Sequence, residues 1–349
     1  MTDARATQAA ELMEQFAVRT GLTDQAAPRR YLWTDAFALC NFIALHRATE
    51  NPRYEALANK LVERVHHVLA PHHDVEHPTA AGLRIGKRLP ERGPNDYFDD
   101  ELEWDRDGQY FHYLTKWMHA LDQLARATNR PRLNLWAREL AATAHRAFTY
   151  STHGVRRMYW KMSIDLSRPL VSSMGHHDPL DGFVTTLVLQ AHAQLPGPEL
   201  DGALRDFSSM IERRALATAD PLGIGGLLTD ALRMTSLVRR GVPGADPELL
   251  DAIVTAAVDG LQQIDRQQDL RAPASYRLGF RELGLAIGLA AAEQIGDARL
   301  IPYLPLRSKI ERFWLDANHR ATSTWLEHAD INDVMLATSL LPDGFLGTA

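Results

Sequence analysis

The sequence predicts an all-α fold, an (α/α)6 barrel of six helical hairpins, and three observations support that prediction. Apolar residues recur with helical spacing along most of the 349 residues, while the alternation typical of strands is nearly absent. One helical hairpin is echoed later in the chain, as in stacked or closed helical arrays. The helices also alternate between apolar and amphipathic. We expect a single domain over residues 1–349, although the length alone favours two.

Twelve helices follow from the periodic segments, with ends defined to about three residues. They are 5–20, 33–49, 52–69, 108–128, 131–149, 179–195, 198–216, 222–240, 246–265, 277–295, 299–317 and 330–341. Breakers such as Asn51-Pro52 and Pro196-Gly197-Pro198 separate neighbouring helices. Residues 157–162 are predicted to be a strand or an extended loop.

The repeated hairpin shows in similar residues at equivalent places. RATENPR at 47–53 is echoed by RATNRPR at 126–132, and each copy joins two predicted helices. Turns inside the hairpins are short, whereas several connections between hairpins are long. The long connections are about 70–107, 150–178, 266–276 and 318–329. Because short turns and long loops collect at opposite ends of such an array, the long-loop end is the expected functional face.

The two helices of a hairpin differ in their polar residues. First helices, such as 33–49 and 277–295, carry few charges, whereas second helices, such as 52–69, carry a charged stripe. An apolar helix is buried and a striped helix faces solvent, so we expect an inner ring of first helices and an outer ring of second helices. The first and last helices of the chain form the sixth pair.

This arrangement resembles the six-hairpin glycosidase superfamily over nearly the whole chain. Trp33-Thr34-Asp35 is similar to the aromatic–Asp entry into an inner helix of the superfamily's hydrolases. The resemblance implies a central cavity at the N-terminal ends of the inner helices, used on sugars. Members of the superfamily include inverting glycoside hydrolases, unsaturated uronyl hydrolases, sugar epimerases and isomerases, and some lyases.

Composition excludes several other classes of protein. With 45% hydrophobic and 23% charged residues, the chain is neither disordered nor fibrous. A net charge of −6 without a basic stripe argues against nucleic acid as a partner, and no stretch approaches the ~18 apolar residues of a membrane span. The single cysteine, Cys40, excludes a disulfide framework, and the N-terminus carries no signal segment. We expect a cytoplasmic protein.

Acids, histidines and aromatic residues collect just before the predicted inner helices. Aromatic rings beside carboxylates suit a sugar, whose apolar ring face stacks while the acids take its hydroxyls. The expected substrate-binding residues are Trp33, Trp104, Tyr110, His112, Trp160, His176, His177, Tyr276, Arg277, Trp325 and His328. Five histidines lie between residues 66 and 77, but their spacing matches no zinc motif, so we expect no metal ion and no other cofactor.

A glycosidase needs one protonated carboxyl to release the leaving group and one ionised carboxylate to activate water or attack carbon. Residues 99–107 hold six acids in nine positions, and such crowding raises the pKa of some of them. The expected catalytic residues are Glu103, Asp105 and Asp107 on one side, and Asp35 and Asp181 on the other. Helix capping is the competing interpretation of each single acid, for example of Asp178 before Pro179. We therefore expect a carbohydrate-active enzyme, first of all a glycoside hydrolase.

Three other functions remain open. A sugar epimerase or isomerase of this fold would move protons with histidines, for which His112, His176, His177 and His328 are candidates. A terpenoid-type cyclase would use an acidic, aromatic-lined cavity, although no clear DxDD run is present. A non-catalytic sugar-binding protein would keep the fold without the activity.

Basic residues near the expected site bear on the charge of the substrate. Residues 82–88, GLRIGKR, are basic, and four more cations follow between residues 156 and 168. Cations on one face of a net-acidic protein favour an anionic substrate group such as a uronate, sulfate or phosphate. Pairing with the acids of 99–107 is the alternative. The expected partner is a small-molecule or oligosaccharide substrate, and the oligomeric state is left open.

Overall fold

The structure, a computed structural model, describes residues 2–23, 29–72, 74–267 and 269–347. Its α-helices are α1 (Thr2–Arg19), α2 (Leu32–Thr49), α3 (Pro52–Leu69), α4 (Asp100–Asp105), α5 (Phe111–Thr128), α6 (Pro131–Phe148), α7 (Asp178–Ala191), α8 (Asp201–Met210), α9 (Pro221–Arg239), α10 (Pro247–Gln267), α11 (Gly279–Ile295), α12 (Pro305–Leu315), α13 (Ala317–Arg320), α14 (Ser323–Leu326), α15 (Ala329–Leu340) and α16 (Asp343–Leu346). Its strands are β1 (Gln109–Tyr110), β2 (Thr149–Thr152), β3 (Val155–Met158), β4 (Lys161–Met162) and β5 (Pro169–Val171). Single turns of 3-10 helix lie at Asp269–Arg271, Ala274–Tyr276 and Ile301–Tyr303.

All twelve predicted helices are present, as α1–α3, α5–α12 and α15. Helix α5 begins at Phe111 rather than at 108, because Gly108 has a φ of +151° and the next two residues pair with β4. Helix α8 ends at Met210, well before the predicted 216, because Ile211 is extended. Helix α12 begins at Pro305, since proline lacks the N–H that a helix interior requires but suits its first turn.

Four short helices, α4, α13, α14 and α16, are not predicted, because four to six residues are too few to show helical periodicity. Helix α4 lies in the acid-rich segment 99–107. Its N-cap is Asp99, whose side chain accepts a hydrogen bond from the backbone N–H of Leu102 at 3.0 Å. The segment 157–162, predicted as a strand or extended loop, holds the end of β3 and the whole of β4.

The chain divides into two compact units. The first unit, residues 17–43 and 52–211, contains the start of α2, helices α3 to α8 and the five strands. Strands β1, β4 and β5 form an antiparallel sheet in the order β1-β4-β5, with Tyr110 opposite Lys161 and Lys161 opposite Val171. Strands β2 and β3 form a separate hairpin. The three-stranded sheet places the start of α5 beside the segment that leads to α7.

Burial separates two kinds of helix in the first unit. Helix α7 is buried at every residue from Asp178 to Leu189, and the first-unit part of α2 is buried from Leu32 onward. Helix α3 instead buries one face, which includes Leu57, Leu61 and Val65, and exposes the other. The apolar first helices are therefore the buried ones, as their sequence predicts.

The second unit is the described part of residues 1–16, 44–51 and 212–349. In it, helices α9 and α11 approach each other through glycines. A Cβ atom on Gly225 would lie 2.2 Å from the carbonyl oxygen of Gly284, and one on Gly288 would lie 2.6 Å from the Cα of Gly225. The two helix backbones are thus in direct contact, and larger side chains at these positions would prevent so close an approach.

Arg5 ties α1 to the end of α15 within the second unit. Its guanidinium donates to the carbonyl oxygens of Ser339 and Leu340 at 3.1 and 3.0 Å. It also donates to both carboxylate oxygens of Glu311, at 3.0 and 2.9 Å. A cation at a helix C-terminus satisfies free carbonyls and complements the helix dipole. This contact joins the two helices that the sequence predicts as the sixth pair.

Within the described residues, no helix combines the length and the apolar character needed to cross a lipid bilayer. The cytoplasmic location and the single domain stay predictions.

Candidate functional site

The starts of α2, α5 and α7 meet in the first unit. The hydroxyl of Tyr31, one residue before α2, lies 2.5 Å from the hydroxyl of Tyr113 in the first turn of α5. Nδ1 of His112, also in that turn, lies 3.9 Å from Oδ1 of Asp178 at the first position of α7. Three buried helices therefore bring polar side chains from remote parts of the sequence to one place.

Asp178 is a buried carboxyl without a full set of hydrogen bonds. Its side chain is 8% exposed, and its Oδ2 atom has no hydrogen-bond partner among the described residues. Burial, and then the charge of Asp181, raise the pKa of Asp178 from 3.8 to about 7, against the lowering effect of Lys116 and a backbone hydrogen bond from Gly175. At neutral pH this carboxyl can therefore either give or accept a proton.

Asp181, one helical turn further along α7, is paired with a cation. It accepts hydrogen bonds from the ammonium of Lys116 at 2.8 Å and from the hydroxyl of Thr115. Residues three apart on a helix are neighbours on its surface, so the carboxylate of Asp181 acts directly on Asp178. The two carboxyls thus differ in their partners, because Asp181 has an ammonium and a hydroxyl while Oδ2 of Asp178 has neither.

His112 is a neutral imidazole in this site. Burial, and then the charge of Lys116, lower its pKa to about 4. Its Nδ1 accepts a hydrogen bond from the indole N–H of Trp160 at 3.3 Å, so in the neutral ring the proton is on Nε2. The ring stacks on Tyr110, with centroids 5.3 Å apart.

Aromatic rings line the site beside His112. Trp104 stands perpendicular to Trp160 at 4.8 Å, and Tyr110 lies 5.8 Å from Trp160 and 5.3 Å from Tyr113. Trp104 is 51% exposed, whereas Tyr110 is buried. The structure therefore brings together four residues that the sequence predicts as substrate-binding, Trp104, Tyr110, His112 and Trp160, with one open indole ring on which a sugar can stack.

Three of the predicted catalytic acids are buried and tied to cations. Glu103 contacts Lys161 Nζ and Arg92 Nε, each at 2.9 Å. Asp107 contacts Arg84 at 2.6 Å and accepts from two backbone N–H groups, and Asp35 contacts Arg30 at 3.1 Å. A fourth acid, Asp105, is exposed. These contacts show what holds the acid-rich segment in place, and the catalytic role of the four acids stays a prediction.

Three further predicted residues lie near the starts of α2 and α7. Trp33 is buried and packs on Phe37 at 4.5 Å, which makes it a core residue of the first turn of α2. His176 and His177 stack on each other at 4.3 Å, directly before Asp178. Their substrate-binding role stays a prediction.

Four predicted residues belong to the second unit. Arg277 is buried, pairs with both carboxylate oxygens of Glu282 at 2.7 and 2.5 Å, and lines a cleft of about 270 Å³. Trp325 is buried against Trp314. Tyr276 is 82% exposed, and His328 contacts Phe280. The contacts of Arg277 explain how the start of α11 is fixed, and the substrate-binding role of the four residues stays a prediction.

Asp178 is the candidate site residue that the sequence analysis does not include among its expected catalytic acids. Its position before Pro179 suggests an N-cap, but His177 is the N-cap and Asp178 is the first helical residue, with its Oδ2 unpaired. The one available signal is the spacing of Asp178 and Asp181, which places two carboxyls on the same face of an apolar helix. Among the described residues, no group of three or more histidines, cysteines or acids is arranged to hold a metal ion.

No profile of a known protein family matches the sequence, and no curated protein matches it either. Among solved structures, the chain is similar to a GH76 α-mannanase from Bacteroides thetaiotaomicron, with a TM-score of 0.62 and 10% identity over 99% of this chain and 97% of that one. It is also similar to the cellobiose 2-epimerase of Spirochaeta thermophila, with a TM-score of 0.52 and 13% identity over 88% and 86% of the two chains. The cellobiose 2-epimerase of Bacillus thermoamylovorans has a TM-score of 0.52 and 10% identity, over 81% of this chain and 76% of that one.

These similarities confirm the predicted fold class. The chain is all-α and shares its (α/α)6 fold with the α-mannanase and the two cellobiose 2-epimerases. At 10–13% identity, the similarity establishes the fold alone. What the protein does therefore has to be argued from its own side chains.

Proposed function

We propose that the protein is a carbohydrate-active enzyme, and within that class a glycoside hydrolase that uses Asp178 and Asp181 as its carboxyl pair. The observation that carries this proposal is the difference between two carboxyls one helical turn apart. Asp178 is buried with a pKa of about 7 and an unpaired Oδ2, whereas Asp181 is ion-paired with Lys116. Hydrolysis of a glycosidic bond needs one carboxyl in each state at the same pH.

In this mechanism Asp178 donates its proton to the oxygen that leaves the sugar as the glycosidic bond breaks, and a water molecule that adds to the anomeric carbon gives its proton to the ionised carboxylate of Asp181. The negative charge of Asp181 keeps the proton on Asp178 until a substrate oxygen approaches. Burial strengthens this effect of Asp181 on Asp178, because charges interact more strongly where water is excluded. The exposed ring of Trp104 offers the sugar an apolar surface beside the two carboxyls' helix start.

We propose a sugar or oligosaccharide as the substrate. The support is the open aromatic wall, together with a fold that is shared with an α-mannanase and two cellobiose 2-epimerases. The test is release of reducing ends from a panel that includes α-mannan and cellobiose. We expect Asp178→Asn to abolish turnover while binding persists, and Asp201→Asn, a change at the exposed first residue of α8, to leave turnover intact. Unchanged turnover in Asp178→Asn would refute the assignment.

A sugar epimerase is the second candidate, and one observation supports it. The neutral ring of His112 lies 3.9 Å from Asp178, so an unprotonated ring nitrogen and a proton-exchanging carboxyl are side by side. An epimerase would incorporate solvent deuterium into the sugar without releasing reducing ends, and His112→Gln would abolish the exchange. Sugar binding with neither reaction would instead indicate a non-catalytic sugar-binding protein.

A further inference from the structure

Lys87 lies beside the aromatic residues Trp104, Tyr110 and Trp160 of the candidate site and is partly buried. Its ammonium is 5.9 Å from the centroid of the Tyr110 ring, and the ammonium of Lys161 is 5.4 Å from the same centroid. Two lysine ammonium groups therefore lie near the Tyr110 ring. The same ring also packs against Trp104, whose indole is open to solvent. This distance is within the range of a cation–π interaction. Such an interaction fixes the position of the ammonium but leaves its N–H groups without hydrogen-bond acceptors.

Lys161, Arg92 and Arg84 already have partners. Lys161 donates to the carboxylate of Glu103 and to the backbone carbonyls of Glu103 and Arg106, at 2.9, 2.6 and 2.9 Å, which uses its three N–H groups. Arg92 is paired with Glu103, and Arg84 with Asp107. In the part of the chain that the structure describes, Lys87 has neither a hydrogen bond nor an ion pair.

Three carboxylates and one cation act on Lys87, and most of these groups already have other partners. Glu103, Asp105 and Asp107 act on it as carboxylates, and Lys161 acts on it as a second cation. Lys161 and Arg92 pair with Glu103, and Arg84 pairs with Asp107, so two of those three carboxylates are already engaged by other cations. Burial is the largest effect on Lys87 and lowers its pKa, because a partly buried ammonium without a hydrogen-bonding partner loses solvation. A bound anion would interact favourably with the Lys87 ammonium and so offset the solvation that burial removes.

We infer that Lys87 binds an anionic group of the sugar substrate, a carboxylate, sulfate or phosphate, while the sugar ring stacks on Trp104. The inference rests on the proposed carbohydrate function and specifies the class of substrate. An ammonium that is already fixed over an aromatic ring loses little freedom when it binds such a group. Its position beside Tyr110 puts the anion and the stacking surface within the span of one or two sugar rings.

The test is calorimetric binding of matched sugars to the full chain. Each pair has the same ring configuration and differs in charge: glucose with glucuronate, galactose with galacturonate, and mannose with mannuronate. In the configuration that binds, we expect the uronate to bind at least about tenfold more tightly, a difference of about 1.4 kcal/mol. Lys87→Met, which keeps the length of the side chain, should abolish that preference. Arg88→Met removes an exposed charge from the next residue and should retain it.

Three results would overturn the inference. They are equal affinity for both members of every pair, a uronate preference that persists in Lys87→Met, and equal losses for charged and neutral sugars in that variant. Glucose 6-phosphate and inorganic phosphate separate the sources of the anion. We expect the sugar phosphate to bind and free phosphate to bind at least tenfold more weakly, and equal affinity would mean that no sugar is recognised.

Failure of this inference differs from failure of the proposed function. Binding needs no turnover, so the uronate preference should persist in Asp178→Asn. Hydrolysis of neutral oligosaccharides without a uronate preference would refute the role of Lys87 and leave the hydrolase proposal standing. A uronate preference that depends on Lys87, in a chain that converts no sugar, would support the role of Lys87 and refute the hydrolase proposal.

Discussion

Oδ1 of Asp178 lies 3.9 Å from Nδ1 of His112, across the starts of two buried helices. Burial raises the pKa of Asp178 to about 7 and lowers the pKa of His112 to about 4, so both groups are uncharged between those values. An aspartate and a histidine at ordinary pKa values would instead form an ion pair near pH 5. The proton of Asp178 is therefore exchangeable near neutral pH, which is the property that the proposed chemistry requires.

Two neighbouring charges should move the pKa of Asp178 in opposite directions. Asp181→Asn removes a like charge and should lower it, whereas Lys116→Met removes an opposite charge and should raise it. Titration of the carboxyl carbons of labelled aspartates by NMR measures both shifts without any need for activity. Shifts in the same direction in the two variants would mean that backbone rearrangement, rather than charge, controls this group.

Asp178 should also make the stability of the protein depend on pH. Its pKa is about 7 in the folded chain and near 3.8 when unfolded, so folding favours the protonated form and stability falls as the pH rises from about 4 to 7. As the pH rises from 4 to 8, the free energy of unfolding of Asp178→Asn should increase by roughly 2–4 kcal/mol relative to that of the wild type. Urea unfolding at both pH values measures the difference. Asp201→Asn, at the exposed first residue of α8, should show no such gain.

His66 should destabilise the fold in mild acid. It is buried, its Nε2 accepts a hydrogen bond from the indole of Trp117 at 3.1 Å, and burial lowers its pKa from 6.5 to about 3. Because only the unfolded chain takes up this proton between those values, stability is lost as the pH falls below 6.5. Between pH 6.5 and 5 the loss from this residue should be about 2 kcal/mol.

Urea unfolding at several pH values, followed by tryptophan fluorescence, measures the contribution of His66. His66→Gln keeps an acceptor for Trp117 and should flatten the dependence, whereas His67→Gln, at the exposed neighbouring position, should not. An identical slope in the wild type and His66→Gln would contradict the prediction.

Glu103 and Lys161 test whether an acid is structural or catalytic. Both side chains are buried and paired at 2.9 Å. Lys161→Met removes one of the two cations paired with Glu103, together with two hydrogen bonds to backbone carbonyls, and should cost about 3–5 kcal/mol, while the double change Lys161→Met with Glu103→Leu should recover part of that loss. Chemical unfolding of the single and double variants gives the coupling. A Glu103→Gln variant with native stability and no activity would instead support the predicted catalytic role of Glu103.

Gly225 and its neighbour Gly226 form a matched pair on α9. A methyl group on Gly225 would collide with the backbone of α11, whereas one on Gly226 meets nothing within 4 Å. We expect Gly225→Ala to destabilise the protein by at least about 2 kcal/mol through overpacking. Gly226→Ala should instead stabilise it by about 0.5–1 kcal/mol, because alanine favours a helix. Thermal unfolding distinguishes the two, and equal effects would mean that the helices can separate without cost.

The helices themselves could be predicted from the sequence, including which of them are buried. The apolar run that becomes α7 and the striped run that becomes α3 differ in a local pattern that any helix of that sequence would display. Short elements escaped because they depend on single contacts. Helix α4 begins where one aspartate side chain caps it, and β1 exists because Gln109 and Tyr110 pair with residues about fifty positions away.

The composition of the site could be predicted in part, but its charge states could not. Acids, histidines and aromatic residues before the inner helices are visible in the sequence, and Trp104, Tyr110, His112 and Trp160 do lie together. Which acid is neutralised by which cation depends on pairs such as Lys161 with Glu103, 58 residues apart, and Lys116 with Asp181, 65 apart. Periodicity is a property of neighbouring residues, whereas a pKa depends on burial and on charges that only folding brings near. The sequence by itself thus determined the helices and their buried faces, while the tertiary structure decided that Asp178 holds the exchangeable proton.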